Sequence, residues 1–303
     1  MNIRRATADD YEAVVELTSD IWADRGGDYI PDVYHEWLED EPGQGKKTFL
    51  AEVDGDVAGI VQAVMLSADE AWFQSMRVSS DHRRQGVSQR LNEALFEWAR
   101  EQGATVGRVM IFSWNTASFA AARTAGFEPR TEFRFAHVEP DSDVTAPAGY
   151  SVSSDPTVAW RYWTHSDARE HLAGLGLAPE ESWAMRELTR EDFGTFADES
   201  AVFAVEGDSG RAGTAYRTRI YDRQTDDGET ETWAEYGVGA WDDVDAARAL
   251  FAAIARDAAT VAADRTRVVI PETATFVTDA AYAGAELADE PDFVLEIGLS
   301  ATT

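Results

Sequence analysis

The sequence predicts an α+β fold, in which a mixed, largely antiparallel sheet is flanked by helices, and it predicts two such domains in tandem. In the first half, apolar residues recur with strand or helix periods in the order βααβββαβαβ. Three consecutive strands before the first crossover helix favour a mixed sheet over a doubly wound one. Parts of this pattern return in the second half, and a hydrophobic fraction of 44% is enough for packed cores.

Each element of the first half follows from its periodicity and its turn residues. Thr7 can cap a helix, Pro31 suits the first turn of another, and Asp54-Gly55 is typical of a hairpin turn. The predicted elements are a strand at 2–5, a helix from Thr7, a helix at 31–40, a hairpin at 47–66, a strand at 70–78, a helix after Gly86, a strand at 106–114, a helix at 115–126 and a strand pair within 127–138. The helix after Gly86 should bury one face, formed by Val87, Leu91, Leu95, Trp98 and Ala99.

Three segments of the first half have counterparts in the second. Phe49 begins a stretch that is repeated from Phe203, an offset of 203 − 49 = 154. The segments from Arg108 and Arg123 are repeated from Arg267 and Ala281, with offsets of 267 − 108 = 159 and 281 − 123 = 158. Such nearly constant offsets indicate a tandem repeat of one fold.

The domain boundaries follow from the polar, Pro- and Gly-containing segment between the two halves. We expect one domain at 1–140, a linker at 141–149 and a second domain at 150–303. The second copy starts either at Tyr150 or at Met185, where MRELTREDF resembles IRRATADDY from Ile3. We take Tyr150, because the later start leaves too few residues for two helices.

The charge is strongly negative, with 56 acidic residues against 26 basic ones and a formal net charge of -30. Only Lys46 and Lys47 are lysines, which leaves 26 − 2 = 24 arginines. Such an acidic surface indicates salt adaptation, and we expect a halophilic archaeal source. The negative field argues against nucleic-acid binding and favours a cationic or amine-bearing ligand.

The composition also excludes several kinds of functional site and indicates where the protein is located. The chain has no cysteine, which excludes disulfides, thiolate nucleophiles and cysteine-based zinc sites. The spacing of His165 and His171 does not suit one helical face, and we expect no metal site. Since no run of 18 apolar residues occurs, we expect a soluble, cytoplasmic protein without membrane association.

The segment Arg83-Arg84-Gln85-Gly86-Val87-Ser88 lies between a predicted strand and a predicted helix. Backbone amides at a helix start attract anions, glycine permits close approach, and arginines add charge-assisted hydrogen bonds. The turn therefore predicts a phosphate or pyrophosphate site. An ordinary surface loop with solvated arginines explains the turn alone equally well.

The order of elements and the segment from Val78 to Ser88 resemble the GNAT acyltransferase superfamily. The phosphate loop of that family has Arg or Gln, two residues, Gly, one residue, and Gly or Ala; Arg83, Gly86 and Ser88 occupy these positions, with Ser88 a mild departure. The second mark is an Asn that opens the next helix, followed by small residues and Gly-Phe, as in Asn115 to Phe127. The position that often carries a tyrosine general acid is Ala122.

The resemblance implies that acetyl-CoA, or another acyl-CoA, is the cosubstrate. The pyrophosphate would bind the amides from Arg84 to Ser88, and the thioester carbonyl would lie near the backbone N–H groups of Met76, Arg77 and Val78. Asn115 would hold the pantetheine arm. The cofactor-binding candidates are Met76, Arg77, Val78, Arg83, Arg84, Gln85, Gly86, Val87, Ser88, Asn115, Ser118 and Phe119.

The implied reaction is N-acyl transfer to an amine by direct attack in a ternary complex. The amine must lose a proton, and Glu70 and Glu132 are the candidate bases, although each can equally be one of many surface acids. An acceptor pocket can be lined by Tyr29, Tyr34, Trp37, Trp72 and Trp114, or these rings can be core residues. The competing hypothesis is a non-catalytic acyl-CoA-binding or regulatory protein, suggested by Ala122.

The second copy should not bind CoA, because Asp242, Asp243 and Asp245 replace the phosphate turn and repel a pyrophosphate. The resemblance thus implies an active first half and a degenerate second half. We expect the acceptor to be a small-molecule or peptide amine, and the protein to be a monomer with an internal pseudo-dimer or a homodimer.

Overall fold

The structure is a computed structural model, which describes residues 1–22, 27–38, 45–225 and 227–300. The chain forms two compact units. Unit 1 contains residues 1–111, 115–129 and the C-terminal segment from Leu295, and unit 2 contains residues 112–114 and 130–294. These units differ from the expected contiguous segments 1–140 and 150–303, because residues 130–140 cluster with unit 2 and the C-terminal segment clusters with unit 1.

Unit 1 is a mixed sheet with helices. Its elements are β1 (Asn2–Arg5), α1 (Tyr11–Thr18), α2 (Ile30–Trp37), β2 (Lys46–Val53), β3 (Asp56–Met65), β4 (Glu70–Val78), α3 (Val87–Glu101), β5 (Val106–Phe112) and α4 (Thr116–Ala125). The strand order is β1-β2-β3-β4-β5, with residues 295–298 beside β5. The pairs from β1 to β4 are antiparallel, whereas β4 and β5 are parallel.

The start of unit 1 is held by a polar motif. Thr7 and Asp10 form a capping box around a 3-10 turn that precedes α1. The Arg4 guanidinium donates two hydrogen bonds to the Asp10 carboxylate, at 2.8 and 2.6 Å. These bonds from Arg4 hold the pKa of Asp10 at about 2. The predicted cap at Thr7 is therefore confirmed.

Apolar residues cover both faces of the unit 1 sheet. One cluster joins α1 and α2 to β2 and β3, and it contains Ala6, Val14, Ile30, Tyr34, Trp37, Leu50 and Ile60. The predicted apolar face of α3 is confirmed, because all of its residues are buried: Val87, Leu91, Leu95, Trp98 and Ala99. The element order is as predicted through α4. Residues 39 and 40 of the predicted second helix lie outside the described residues.

The predicted strand pair within 127–138 is wrong. A single strand, β6 (Glu128–His137), occupies this segment. After Pro129, near its start, no Gly, Pro, Asn, Asp or Ser interrupts the strand, so the segment 130–137 has no residue that favours a turn in its middle. Within unit 2, β6 pairs with a strand of the second copy, Arg265–Pro271.

Unit 2 repeats the arrangement of unit 1. Its further elements are β7 (Ser151–Ser153), α5 (Pro156–Trp163), α6 (Asp167–His171), β8 (Leu175–Leu177), β9 (Met185–Glu187), α7 (Arg190–Glu199), β10 (Ala201–Gly207), β11 (Gly210–Gln224), β12 (Thr230–Trp241), α8 (Val244–Thr260), β13 (Arg265–Pro271), α9 (Ala274–Tyr282) and β14 (Glu286–Leu287), and β15 (Asp292–Gly298) ends the chain's strands. The sheet order is β7-β10-β11-β12-β13-β6, and β8 and β9 form a separate two-stranded sheet.

Both proposed starts of the second copy have structural counterparts in the first. The strand β7, directly after Tyr150, pairs with β10 as β1 pairs with β2. Near Met185, Thr189 and Asp192 form a capping box, and Arg186 binds Asp192 as Arg4 binds Asp10. The strand that corresponds to β1 in the sheet therefore follows Tyr150. The polar motif that precedes the first helix of unit 1 recurs later, near Met185. Among the described residues, the helices are too short or too polar to cross a membrane.

Candidate functional site

A cleft of about 1090 Å³ opens in unit 1. The end of β4, the turn that follows it, α1 and the first turns of α3 and α4 form its walls. It brings together ten of the twelve residues predicted to bind the cosubstrate: Met76, Arg77, Val78, Arg83, Arg84, Gly86, Val87, Ser88, Asn115 and Ser118. Gln85 and Phe119 are not part of its lining.

The cleft begins where β4 is distorted. Gln62 of β3 pairs with Gln74 and Ile60 pairs with Arg77, so β4 has one extra residue between these pairs. Ser75, inside this bulge, has a φ of 61°. A bulge interrupts the ladder and leaves backbone groups without their usual strand partners. Met76, the bulge residue that lines the cleft, therefore presents main-chain groups to it.

The neighbouring strand also contributes to the opening. The register of β4 with β5 covers Glu70 to Trp72 only, although β4 continues to Val78. The second half of β4 is thus not paired in register with β5. This leaves the region around Met76 open for a ligand.

The turn after β4 has the geometry of an anion site. Arg84 and Gly86 have φ values of 63° and 81°, and Gly86 precedes α3 without any side-chain cap. A Cβ built on Gly86 meets nothing within 4 Å. The first amides of α3 are therefore open, and Arg83 and Arg84 beside them are exposed. This arrangement can bind phosphate.

Asn115 and the start of α4 form another wall of the cleft. The Asn115 Oδ1 accepts the Ser118 N–H at 3.1 Å and caps the helix. Ala117, Ser118 and Ala121 line the cleft, but Ala122 carries no group that can exchange a proton. Because residue 122 is an alanine, α4 has no proton-donating side chain at the position where the resemblance implies a tyrosine.

A buried ion pair beside the bulge was not predicted. The Arg77 Nε lies 2.5 Å from Asp28 Oδ2, and both side chains are almost fully buried. The Arg77 guanidinium carbon also lies 4.0 Å from the Trp22 ring centre and 5.7 Å from that of Tyr29. The Arg77 side chain thus contacts three residues that precede α2 in the chain, Trp22, Asp28 and Tyr29. Arg77 and Asp28 are 49 positions apart, so no local sequence pattern predicts that they form an ion pair.

Glu70, one of the two candidate bases, is not part of the cleft lining. It is the first residue of β4, and its buried carboxylate accepts hydrogen bonds from Arg108 and from Ser67. Unit 2 contains a corresponding buried pair, Arg267 with Glu235. Because both copies have such a pair, Glu70 belongs to the architecture of the repeat.

Glu132, the other candidate base, belongs to unit 2. Its Oε1 lies 3.6 Å from His171 Nε2, and it does not line the cleft in unit 1. Within unit 1, Glu70 is therefore not a cleft residue, and Glu132 is part of the other unit. No group of three or more His, Asp or Glu side chains in the described ranges could hold a metal ion.

The five candidate aromatic residues fall into three groups. Tyr34, Trp37 and Trp72 are buried core residues. Trp114 stacks on Phe112 in unit 2, with ring centres 5.5 Å apart. Only Tyr29 of this set is a strongly exposed ring, with 44% of its surface accessible.

Unit 2 differs at both positions that form the cleft in unit 1. The Asp243 side chain accepts the N–H groups of Asp245 and Ala246 at the start of α8, and the Tyr150 hydroxyl donates to it. β12 has a bulge at Gly237, where a Cβ would lie 2.2 Å from the Tyr216 ring. A carboxylate therefore occupies the helix start, and a tyrosine covers the bulge.

Comparisons with known proteins give a family match for part of the chain and similarities of overall fold. Residues 11–127 match the model of the Acetyltransferase (GNAT) family. The whole chain is similar to the crystal structure of a GCN5-related N-acetyltransferase from Sphaerobacter thermophilus, with a TM-score of 0.62, 14% identity, and coverage of 100% of this chain and 96% of that chain. It is also similar to a tandem GNAT protein from the clavulanic acid biosynthesis pathway, with a TM-score of 0.54, 13% identity, and coverage of 100% and 99%. Among curated proteins, none matches the sequence.

These likenesses confirm the predicted fold class. At such low identity they show the fold alone, and the family match covers only the first half of the chain. The chain has the fold of a tandem GNAT protein, and its segment 11–127, which supplies most of the cleft lining, matches the acetyltransferase family.

Proposed function

We propose that unit 1 is an N-acyltransferase that moves an acetyl or other acyl group from acyl-CoA to an amine. The observation that carries this proposal is one cleft that extends from the open helix start at Gly86 to Met76 in the β4 bulge. The family match of residues 11–127 supports the same reaction class. The amine attacks the thioester directly in a ternary complex, without a covalent enzyme intermediate.

The turn supplies the anchor for the cosubstrate. The pyrophosphate binds the first amides of α3, and Arg83 and Arg84 donate charge-assisted hydrogen bonds to it. In a chain with a net charge of -30, this local pair of arginines offsets the repulsion that a polyanion meets elsewhere. Asn115 and Ser118 border the path of the pantetheine arm.

The bulge supplies the electrostatic part of the catalysis. Backbone N–H groups near Met76 donate hydrogen bonds to the thioester oxygen, and the negative charge on this oxygen grows in the transition state. Donors that are already oriented stabilise this charge without reorganisation, and one such donor typically contributes a factor of about 10²–10³ in rate.

The acceptor is an amine that reaches the cleft in a cationic form and reacts in its neutral form. Alkylammonium groups have a pKa near ~10.4 and are not nucleophilic while protonated. Asp9, Glu16 and Asp20 lie along the α1 wall of the cleft and attract cations. We therefore propose a small-molecule or peptide amine with further positive charge as the acceptor.

We further propose that unit 2 is a degenerate copy that binds no acyl-CoA. Asp243 takes the place that a phosphate would take at the start of α8, and the Tyr216 ring fills the space over the β12 bulge. The chain therefore has one active site.

A binding or regulatory function without catalysis is the second candidate. Ala122 and the positions of Glu70 and Glu132 favour it, because none of them supplies a proton-transfer group to the cleft. Only the acyltransferase function predicts turnover of acyl-CoA in the presence of an amine.

The test is an assay of thiol release from acetyl-CoA in concentrated KCl with a panel of primary amines. The panel contains a polyamine, an amino acid amide and a short peptide with a free N-terminus. We expect thiol release that depends on at least one amine. A raised melting temperature with acetyl-CoA but no release with any amine would support the binding function instead.

A further inference from the structure

The proposed reaction needs a proton carrier near the acyl group, and neither Ala122 nor the two candidate carboxylates, Glu70 and Glu132, provides one. Ala122 has no polar group, and Glu70 and Glu132 are engaged with Arg108 and His171. The bulge itself, however, has a hydroxyl group beside it. This group is the phenol of Tyr29.

The Tyr29 hydroxyl lies 2.5 Å from the Oγ of Ser75, in an exposed hydrogen bond. Ser75 is the bulge residue with positive φ, and the next residue, Met76, lines the cleft. A non-glycine residue in this conformation is strained, and such strain is concentrated at functional sites. The bond therefore places a phenol next to the main-chain groups that face the thioester.

The Tyr29 ring is held firmly while one side of it stays accessible. It packs near Trp22 and Trp37, with ring centres 6.3 Å away in each case. Asp28, the preceding residue, is fixed by the buried ion pair with Arg77. Desolvation by the surrounding protein raises the pKa of the Tyr29 phenol, although 44% of the residue is exposed. Tyr29 itself is not part of the cleft lining, and it is linked to the cleft through Ser75 and the neighbouring Met76.

We propose that Tyr29 is a catalytic residue that carries the proton from the attacking nitrogen to the departing sulfur. This inference rests on the proposed acyl transfer. The neutral amine forms the N–C bond, and the carbonyl electrons move to the oxygen. As the C–S bond breaks, the phenol gives its proton to the sulfur, and the phenol oxygen takes the proton from the positively charged nitrogen. The products are an amide and a free thiol, and Tyr29 is regenerated.

One hydroxyl can serve both atoms because nitrogen and sulfur are bonded to the same tetrahedral carbon. Ser75 is a positioning residue, since its Oγ fixes the phenol at the bulge. A phenol that stays protonated at neutral pH is always ready to donate. This arrangement needs neither a carboxylate base nor a tyrosine at position 122.

The test compares Tyr29→Phe with the wild type in the thiol-release assay. We expect kcat to fall about 100-fold, within the usual range for loss of a general acid-base group. The Kd for acetyl-CoA and the melting temperature should stay unchanged. Ser75→Ala should lower kcat by a smaller factor, again without changing the affinity for acetyl-CoA.

The control is Tyr34→Phe, which removes a hydroxyl of the same unit that donates to the Thr7 carbonyl at 2.7 Å. It should leave kcat unchanged even where it lowers stability. Wild-type turnover with an equal kcat in Tyr29→Phe would overturn the role of Tyr29 alone. Absence of turnover by the wild type with every amine would overturn the acyltransfer proposal and this role together.

Discussion

The Nε of Arg108 lies 2.7 Å from the Oε2 of Glu296, although 188 positions separate the two residues. Both belong to unit 1. The Leu299 N–H also donates to the Thr105 carbonyl at 2.8 Å, and Arg100 Nε donates to the Leu299 carbonyl at 2.8 Å. The segment 295–299 therefore forms part of the unit that contains the cleft.

The first prediction concerns this ion pair. Glu296→Gln should lower the free energy of unfolding by about 1–3 kcal/mol, because Arg108 is buried and loses one charged partner. Glu93→Gln is the matched control, since the Arg90–Glu93 pair is largely exposed and should contribute less than about 0.5 kcal/mol. Denaturant unfolding in concentrated KCl measures both. Equal effects in the two variants would show that Glu296 is not a structural residue of unit 1.

The second prediction concerns the isolated first half. A fragment of residues 1–149 lacks the strand from Leu295 that lies beside β5, so it should be insoluble or lack a cooperative unfolding transition. Expression followed by circular dichroism and thermal unfolding checks this. A soluble fragment with full acyltransferase activity would contradict it.

The third prediction concerns stability at low pH. Hydrogen bonds from Arg4 lower the pKa of Asp10 to about 2 in the folded state, below its unfolded value of about 3.9. A lowered folded-state pKa gives stability that is present above pH ~4 and is lost as the pH falls towards ~2. Asp10→Asn should thus cost about 1–2 kcal/mol at pH 7, with a difference from the wild type that shrinks below pH ~4. A difference that is constant across this range would be inconsistent with the ion pair as its source.

The fourth prediction concerns Asp292 in unit 2. Burial raises its pKa to about 7, against a partly opposing effect of Arg267. A raised folded-state pKa means that stability is fully present below pH ~4 and declines as the pH rises through ~7. Asp292→Asn should therefore leave stability at pH 4 almost unchanged and increase it at pH 8 by up to about 4 kcal/mol. Unfolding curves at the two pH values provide the check, and destabilisation at pH 8 would contradict the assignment.

The parts of the site that were predictable from sequence are local in the chain. The turn from Arg83 to Ser88 lies between a strand and a helix, and Asn115 begins the next helix, so each can be inferred from a short segment. The capping residue Thr7 is similarly local. Local patterns report backbone conformation, and they therefore predicted the cleft walls well.

The parts that were missed depend on pairing between distant residues. Asp28 and Arg77 form their ion pair across 49 positions, and neither has a distinctive neighbourhood. The alternating pattern of β6 is the same whichever strand it joins, so its pairing with β13 was not visible. The contact of Tyr29 with Ser75, on which its proposed role depends, similarly joins residues 46 positions apart. Glu70 looked like a candidate base because its partner Arg108 could not be seen in the sequence.

The central claim is that the chain binds acyl-CoA once, at the turn before α3. Gly86→Glu introduces a carboxylate into the open space over this turn, where φ is 81°. Gly228→Glu is a matched control in unit 2, since Gly228 has a φ of 80° and equally open surroundings.

Isothermal titration calorimetry with acetyl-CoA in concentrated KCl tests this claim most directly. The expected result is one acetyl-CoA per chain in the wild type and in Gly228→Glu, and no binding in a folded Gly86→Glu variant. Two molecules per chain, or unchanged affinity in Gly86→Glu, would contradict it.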